Sequence, residues 1–353
     1  QLLQLLRMLK CLTLFKEKGK SKVTFNESQH LEQPESPKII FKMNRYYITI
    51  NKLLVLLLIL FLFFQVGCTD SNEPLKLATY TYSTNNRINN LKPLSKELEK
   101  VLKRPVHVQS YPDVASFIKG IKSNEVDIGL INTLGYLLLS LDNTTMKPIA
   151  TLKIKDEAID NYKTVLLAKN DGIEELNTLK ANANTLVMMF VAEGSTSGNL
   201  VPRLFLSSLG ITSPENQFKE VAYGGNHTAT FQKLIEGETD ICAIGSNEYF
   251  KQIQADSTLL KSHKLVWTSA EIPLGPVLLH NSFTDLEKET ITNLFLNLHV
   301  NNSMALASIK EAWLEAKQAE KFHAISDSYY DNFKMINGSK TELYDILEFF
   351  KGN

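Results

Sequence analysis

Apolar positions change period along this chain in a regular order. Residues 76–80 alternate and are rich in β-formers, which predicts a strand. Leu91, Leu94, Leu98, Val101 and Leu102 then recur at the spacing of one helix face. A strand at 104–109, a helix over 112–121 and a strand at 126–131 follow. A second run of the same kind places strands at 164–168, 186–190, 218–223 and 240–244, with a helix after residue 198 and another over 228–235. The chain returns to strand at 275–279 and then becomes mostly helical, over 285–300, 303–317 and 341–350. Alternating strands and helices of this length predict an α/β protein with largely parallel sheets.

The two runs echo one another. Residues 116–129 match 230–243 with one gap: helix, short polar turn, Asp (Asp127, Asp240), apolar strand, then a polar loop ending in Tyr136 or Tyr249. Two similar lobes are therefore expected, with their post-strand loops on either side of a cleft. Ligands of α/β sheets sit at the carboxyl ends of strands. Crossings near 162–168 and 266–279 would join the lobes and let them hinge around a ligand.

One turn stands out against this pattern. Glu193-Gly194-Ser195-Thr196-Ser197-Gly198 lies between the apolar run 187–190 and the helix that follows. Hydroxyl residues, Pro202 in the first turns and Gly210 just past the end are the marks of a helix with a capped N-terminus. Free backbone N–H groups and the positive helix end favour an anion in such a turn. An ordinary N-cap would use the same residues.

Composition narrows the picture further. In 353 residues there are 38 Lys plus Arg and 38 Asp plus Glu, a net charge of +0. That balance gives no support for a nucleic-acid partner. Met43, Arg45, Lys52, the unbroken apolar run 53–64 and Gly67-Cys68 read as a signal peptide, since twelve apolar residues are few for a spanning helix. Residues 1–42 are expected to lie upstream of the true start. Val66-Gly67-Cys68 resembles a bacterial lipobox, so Cys68 is the expected lipidation site and 68–75 a tether. Stable attachment would come from more than one acyl chain. Cys11 lies in the leader, which leaves Cys242 alone in a mature chain and its fold without an internal disulfide.

Ser195-Thr196-Ser197-Gly198 with Pro202 resembles the S-T-S-G-x-x-x-P turn of the phosphate-, phosphite- and phosphonate-binding proteins of ABC importers. Similar order and spacing run along nearly all of the mature chain: Tyr111-Pro112-Asp113, Val126-Asp127-Ile128-Gly129, Tyr162, Gly224-Gly225-Asn226-His227, and Trp267-Thr268-Ser269 before Ile272-Pro273 and Pro276. The resemblance implies a two-lobed periplasmic-binding-protein fold of type II, with Rossmann-like lobes joined by two crossing strands. Residues 76–163 would form the first part of lobe 1, 164–267 lobe 2, and 268–353 the return to lobe 1. It further implies a lipid-anchored, monomeric protein on the extracytoplasmic face of a bacterial membrane, delivering its ligand to a permease and an ATPase. Carried over by residue, the ligand would meet Ser195, Thr196, Ser197, His227 and Tyr162, with Glu248, Tyr111 and Asn132 as further candidates. The matched positions include no Arg, so hydroxyls and amides must supply many donors. The family's aminophosphonate binders tend to carry an acid between Ile-Pro and the next Pro. Here Leu274-Gly275 stand there, which shifts the expectation toward phosphate, phosphite or a simple phosphonate.

Catalysis is not expected. A hydrolase elbow would put Ser at the centre of G-x-S-x-G, and here that centre is Thr196. The seven His are scattered without metal-ligand spacing, so neither a metal nor another cofactor is expected. A sensor of the same fold, feeding a membrane signalling protein, is the alternative role.

Overall fold

The computed structural model describes residues 73–142, 145–156, 158, 161–170, 172–173, 176–331, 333, 343 and 345–347. The expected leader at 1–42, the apolar run at 53–64, Cys68 and most of the helix expected at 341–350 lie outside these residues. Four strands come first: β1 (Leu75–Tyr80), β2 (Val106–Tyr111), β3 (Ile128–Leu130) and β4 (Met146–Ile154). Five follow: β5 (Thr164–Lys169), β6 (Val187–Phe190), β7 (Glu220–Tyr223), β8 (Ile241–Gly245) and β9 (His263–Thr268). The return adds β10 (Pro276–His280) and β11 (Ala319–Ala324). The longer helices are α1 (Ile88–Leu102), α2 (Val114–Lys122), α3 (Thr133–Ser140), α4 (Val201–Ser208), α5 (His227–Glu236), α6 (Ser246–Ala255), α7 (Asp285–Asn301) and α8 (Ser303–Ala312).

Two sheets result, ordered β11-β4-β10-β3-β1-β2 and β7-β6-β8-β5-β9. They contain one repeated unit, β2-β1-β3-β10 in the first and β7-β6-β8-β5 in the second. In both, the first three strands run parallel and the fourth antiparallel. The sheets are thus mixed, a correction to the largely parallel expectation. The cause is topological: β5 and β10 enter their sheets straight from a crossing, with no βαβ unit to set them parallel. The crossings differ from expectation too. The described parts of 155–163 and all of 269–275 contain no strand and bond to each other, Ile272 N–H donating to the Tyr162 carbonyl at 2.8 Å.

Helices α3 and α6 replace the polar loops expected after β3 and β8. α3 lacks a readable helical period because Thr133, Leu134, Gly135, Tyr136, Leu137 and Leu139 are all buried, and a helix hidden on every side needs no polar stripe. α8 stops at Ala312, short of the expected 317, where Trp313 goes extended and a tight turn, Leu314–Ala316, leads into β11. The second sheet is covered by separate cores on its two faces, one around Leu166, Phe190 and Leu206, the other around Leu167, Phe231 and Ile244. Cys242 is fully buried in the latter, as its apolar run predicted, and is free. Leu200, Val201 and Leu204, at the start of α4, instead join the core of the first sheet. The hydroxyl turn is therefore pinned between the two sheets. Among the described residues no helix is long and apolar enough to cross a membrane.

Candidate functional site

The hydroxyl turn begins as the capping pattern dictates. Ser195 is extended and its Oγ accepts from the Gly198 amide at 3.0 Å. Residues Thr196–Leu200 then make one wide turn with i→i+5 spacing before α4, a feature concentrated at functional sites. A side chain at Gly198 would overlap Val191 and crowd Ser195 Oγ, so the tight fold-back of the turn on β6 requires glycine there. The three hydroxyls have different fates. Ser195 caps its own helix. Thr196 is buried and its Oγ1 accepts from the Leu134 amide at 3.0 Å, a bond from the second sheet's turn to the first turn of α3. Ser197 is fully buried, and its Oγ, which faces the Tyr162 phenol, makes no well-formed hydrogen bond among the described residues. A buried hydroxyl without a partner costs about 1–3 kcal/mol, so its retention needs a reason.

Beside it, His227 opens α5 after the Asn226 cap. Its Nδ1 accepts from the Gly245 amide at 2.9 Å, which fixes the neutral tautomer and leaves the Nε2 hydrogen to donate. Burial lowers its pKa to about 4, against a small opposing pull from Glu248, so the ring is neutral near pH 7. Tyr162, on the first crossing, is almost wholly buried. Burial, then the nearby Glu315 carboxyl, push its phenol well above the usual range, while the Ser197 hydroxyl facing it pulls the other way.

The first sheet supplies the opposite wall of a chamber of about 160 Å³ between the sheets. Asn132 lines it while capping α3 through Oδ1, and its Nδ2 donates to the Gly194 carbonyl at 2.8 Å, a second bond across the cleft. Tyr82, just after β1, faces His227 at 6.2 Å between ring centroids, and its buried hydroxyl also lacks a partner among the described residues. Arg87 lines the chamber as well, although the matched sequence positions hold no arginine. Its guanidinium lies 4.5 Å from the Tyr80 ring centroid and 4.3 Å from that of Trp313, with Nε donating to the Ala312 carbonyl at 3.0 Å. Its left-handed φ of 61° is held by the Asn85 side chain, which accepts from the Arg87 amide. A larger chamber of about 510 Å³ continues past Tyr162, His227, Leu314 and Glu315, which line both spaces.

Not all sequence candidates gather here. Ser195, Thr196, His227, Tyr162 and Asn132 line the inner chamber, and Ser197 lies just behind Tyr162. Glu248 lines only the outer one, and its carboxylate is occupied by Thr228 Oγ1 at 2.8 Å and Gln252 Nε2 at 2.6 Å. Despite its burial, those bonds and Lys251 hold Glu248 below the usual carboxylate range. Tyr111 is not brought to the cleft: its hydroxyl donates to Glu125 at 3.0 Å and its ring stacks on Phe117. Sequence reasoning missed Tyr82, Arg87 and Glu315. The rule that ligands sit at the carboxyl ends of strands points to the turn after β1, and so to the first two. Glu315 carries no such signal, because it fell inside a stretch expected to be helix. No group of His, Cys, Asp or Glu that could hold a metal occurs among the described residues.

A family profile described as ABC transporter, phosphonate, periplasmic substrate-binding protein matches residues 78–330. The phosphonates-binding periplasmic protein of Escherichia coli strain K12 is 23% identical over 249 residues, spanning 70% of this chain and 73% of its own length. A probable phosphite-binding protein of an ABC transporter from Prochlorococcus marinus strain MIT 9301 is 23% identical over 251 residues, spanning 69% and 81%. The crystal structure of a binding-protein component of an ABC phosphonate transporter from Pseudomonas aeruginosa shares the fold, with a TM-score of 0.58 at 20% identity over 80% of this chain and 95% of that one.

Proposed function

The chain belongs to the family of periplasmic substrate-binding proteins of phosphonate ABC transporters, and on that footing we propose that it captures a small phosphorus oxyanion in the chamber between its two sheets. Members of that family are extracytoplasmic and bind their ligands without transforming them. The observation that carries the reading for this chain is the pairing of an unpartnered, buried Ser197 hydroxyl with a His227 whose tautomer leaves Nε2–H free to donate. Phosphorus oxyanions offer three or four acceptor oxygens, and hydrogen bonds to such charged acceptors are about twice as strong as neutral ones. The turn around Ser195 and Thr196, with its helix N-terminus, adds backbone donors, and Tyr162 adds a phenol. Residues 76–163 with 268–353 act as one lobe and 164–267 as the other, hinged at the two crossings. The ligand passes to a permease and its ATPase.

Calorimetric titration with phosphate, phosphite, methylphosphonate, 2-aminoethylphosphonate and sulfate tests this. Tight binding of one phosphorus oxyanion, with sulfate ignored at neutral pH, is expected. Silence toward all of them would reduce the Ser195–Ser197 turn to a helix cap. Anchoring through acylated Cys68 is part of the same proposal. The Cys68→Ala protein should leave the membrane fraction, and its retention there would point to 53–64 as an uncleaved anchor.

A further inference from the structure

Glu315 sits where an anion site has least use for it. It comes from the turn after α8, and it lines the inner chamber opposite the second sheet's donors as well as the outer chamber. Apart from its own backbone amide, its carboxyl has no hydrogen-bond or ion-pair partner among the described residues. The other acids around the cleft have structural work or lie farther out. Asp113 caps α2 by accepting from the Ser116 amide at 2.7 Å, and Glu248 is held by Thr228 and Gln252. Glu311 lines only the outer chamber.

We propose that Glu315 is a specificity-determining residue: its carboxyl meets the bound oxyanion and the pair shares one proton, so the site takes protonatable phosphorus oxyanions and turns away sulfate. This rests on the phosphorus-oxyanion reading above. Two ionised groups of like sign cannot share a water-poor space, so one of them must hold a proton. A phosphorus oxyanion can bring that proton, because its second ionisation lies near neutrality. Sulfate at neutral pH has none to bring, and would need a proton already on Glu315.

The groups that face Glu315 support this assignment. Burial raises the carboxyl above its ordinary range, while Arg87, and then the residue's own backbone amide, pull it back. Arg87 already fills the cationic role beside the carboxyl, so an ammonium on the ligand would meet a guanidinium there. The phenols of Tyr80, Tyr82 and Tyr162, all sensing the Glu315 charge or its neighbour Arg87, are pushed up by burial and stay protonated. His227 titrates only near 4. Across the outer chamber Lys251 is tied to Glu248, while burial and Lys155 lower Lys310, and Lys317 stands at the rim.

Titration calorimetry of the wild type and of Glu315→Gln with methylphosphonate and sulfate, from pH 5.5 to 8.5, decides it. Expected for the wild type is an affinity falling about tenfold per pH unit above the ligand's second ionisation, with about one proton taken up per ligand in that range. Uptake is read from heats in buffers of different ionisation enthalpy and needs no variant. Glu315→Gln should lose the slope and bind sulfate at least about tenfold more tightly than the wild type at neutral pH. A flat wild-type profile without proton uptake would overturn the inference, as would a variant that keeps both slope and sulfate exclusion. If 2-aminoethylphosphonate binds at least tenfold more tightly than methylphosphonate, and only in the wild type, Glu315 serves an ammonium and the shared proton is wrong. A wild type that binds no phosphorus oxyanion at any pH would overturn the oxyanion reading itself, and this inference with it.

Discussion

The two sheets repeat one frame and fill it with different chemistry. In the first, α2, β3 and α3 follow one another; in the second, α5, β8 and α6 do so. Asp127 opens the first unit's strand by accepting from the Lys76 amide at 2.7 Å, and Asp240 does the same with the Val187 amide at 2.8 Å. Each thereby ties its strand to the start of the neighbouring parallel one, β1 or β6. The turns above those neighbours differ. After β6 come three hydroxyls and a helix N-terminus. After β1 come Tyr82 and Arg87, a phenol and a guanidinium set among rings. The helix starts differ in the same sense: His227 follows its cap in the second sheet where the apolar Val114 follows Asp113 in the first. A shared frame thus positions the walls of the cleft, while the residues in its turns present different chemistry to it.

The largest effects should come from the second sheet's turn. Ser197→Ala and His227→Ala should each weaken oxyanion binding by about 1.5–3 kcal/mol, the worth of a hydrogen bond to a charged group. Ser197→Ala should at the same time leave thermal stability unchanged or raise it, because it deletes a buried hydroxyl with no well-formed hydrogen bond among the described residues. Calorimetry and thermal unfolding on the same samples separate the two readings. A variant that is both less stable and unimpaired in binding would make Ser197 a structural residue, and the chemical asymmetry of the two turns would be incidental.

That asymmetry was unevenly legible in the sequence. The hydroxyl turn could be read because its form depends on adjacent residues: caps, glycines and a proline at fixed spacing write a local signature. The repeat could be read because Asp127 and Asp240 do a local task at the mouth of a strand. Tyr82, Arg87 and Glu315 could not, since they meet only through tertiary folding, from a post-strand turn, a helix start and a tight turn more than two hundred residues later. The helices after β3 and β8 escaped for the opposite reason. α3 is buried on all sides and α6 begins directly at Ser246 after the strand, so neither shows a clear change of period at its start. Tyr111 lies in a matched motif, yet its hydroxyl serves Glu125, which motif spacing cannot reveal.

A middle-sized effect tests the frame itself. Asp240→Ala removes a charged acceptor from a partly buried amide and should destabilise the fold by about 1.5–3 kcal/mol. Asp127→Ala removes the same bond at an exposed position, where solvent replaces much of it, and should cost less than about 1 kcal/mol. Denaturant melts of both variants give the order. Equal losses would mean that burial does not set the difference, and a reversed order would mean that the repeat is one of topology without shared energetics.

The smallest effect asks whether the first sheet takes part in recognition at all. Tyr82→Phe keeps the ring that faces His227 and removes only the unpartnered hydroxyl. If that hydroxyl donates to the ligand, affinity should fall by about 1.5 kcal/mol, the low end for a bond to a charged group, with stability unchanged or slightly higher. Tyr111→Phe is the matched comparison, since it deletes a phenol at the end of β2 that reaches Glu125 instead of the cleft. It should leave affinity alone. Should Tyr82→Phe also leave affinity alone while Ser197→Ala weakens it, recognition belongs to the second sheet, and the first serves as a lid whose ring and guanidinium exclude water. Should both weaken it, the oxyanion is held from both sides, and closure of the lobes itself completes the donor set.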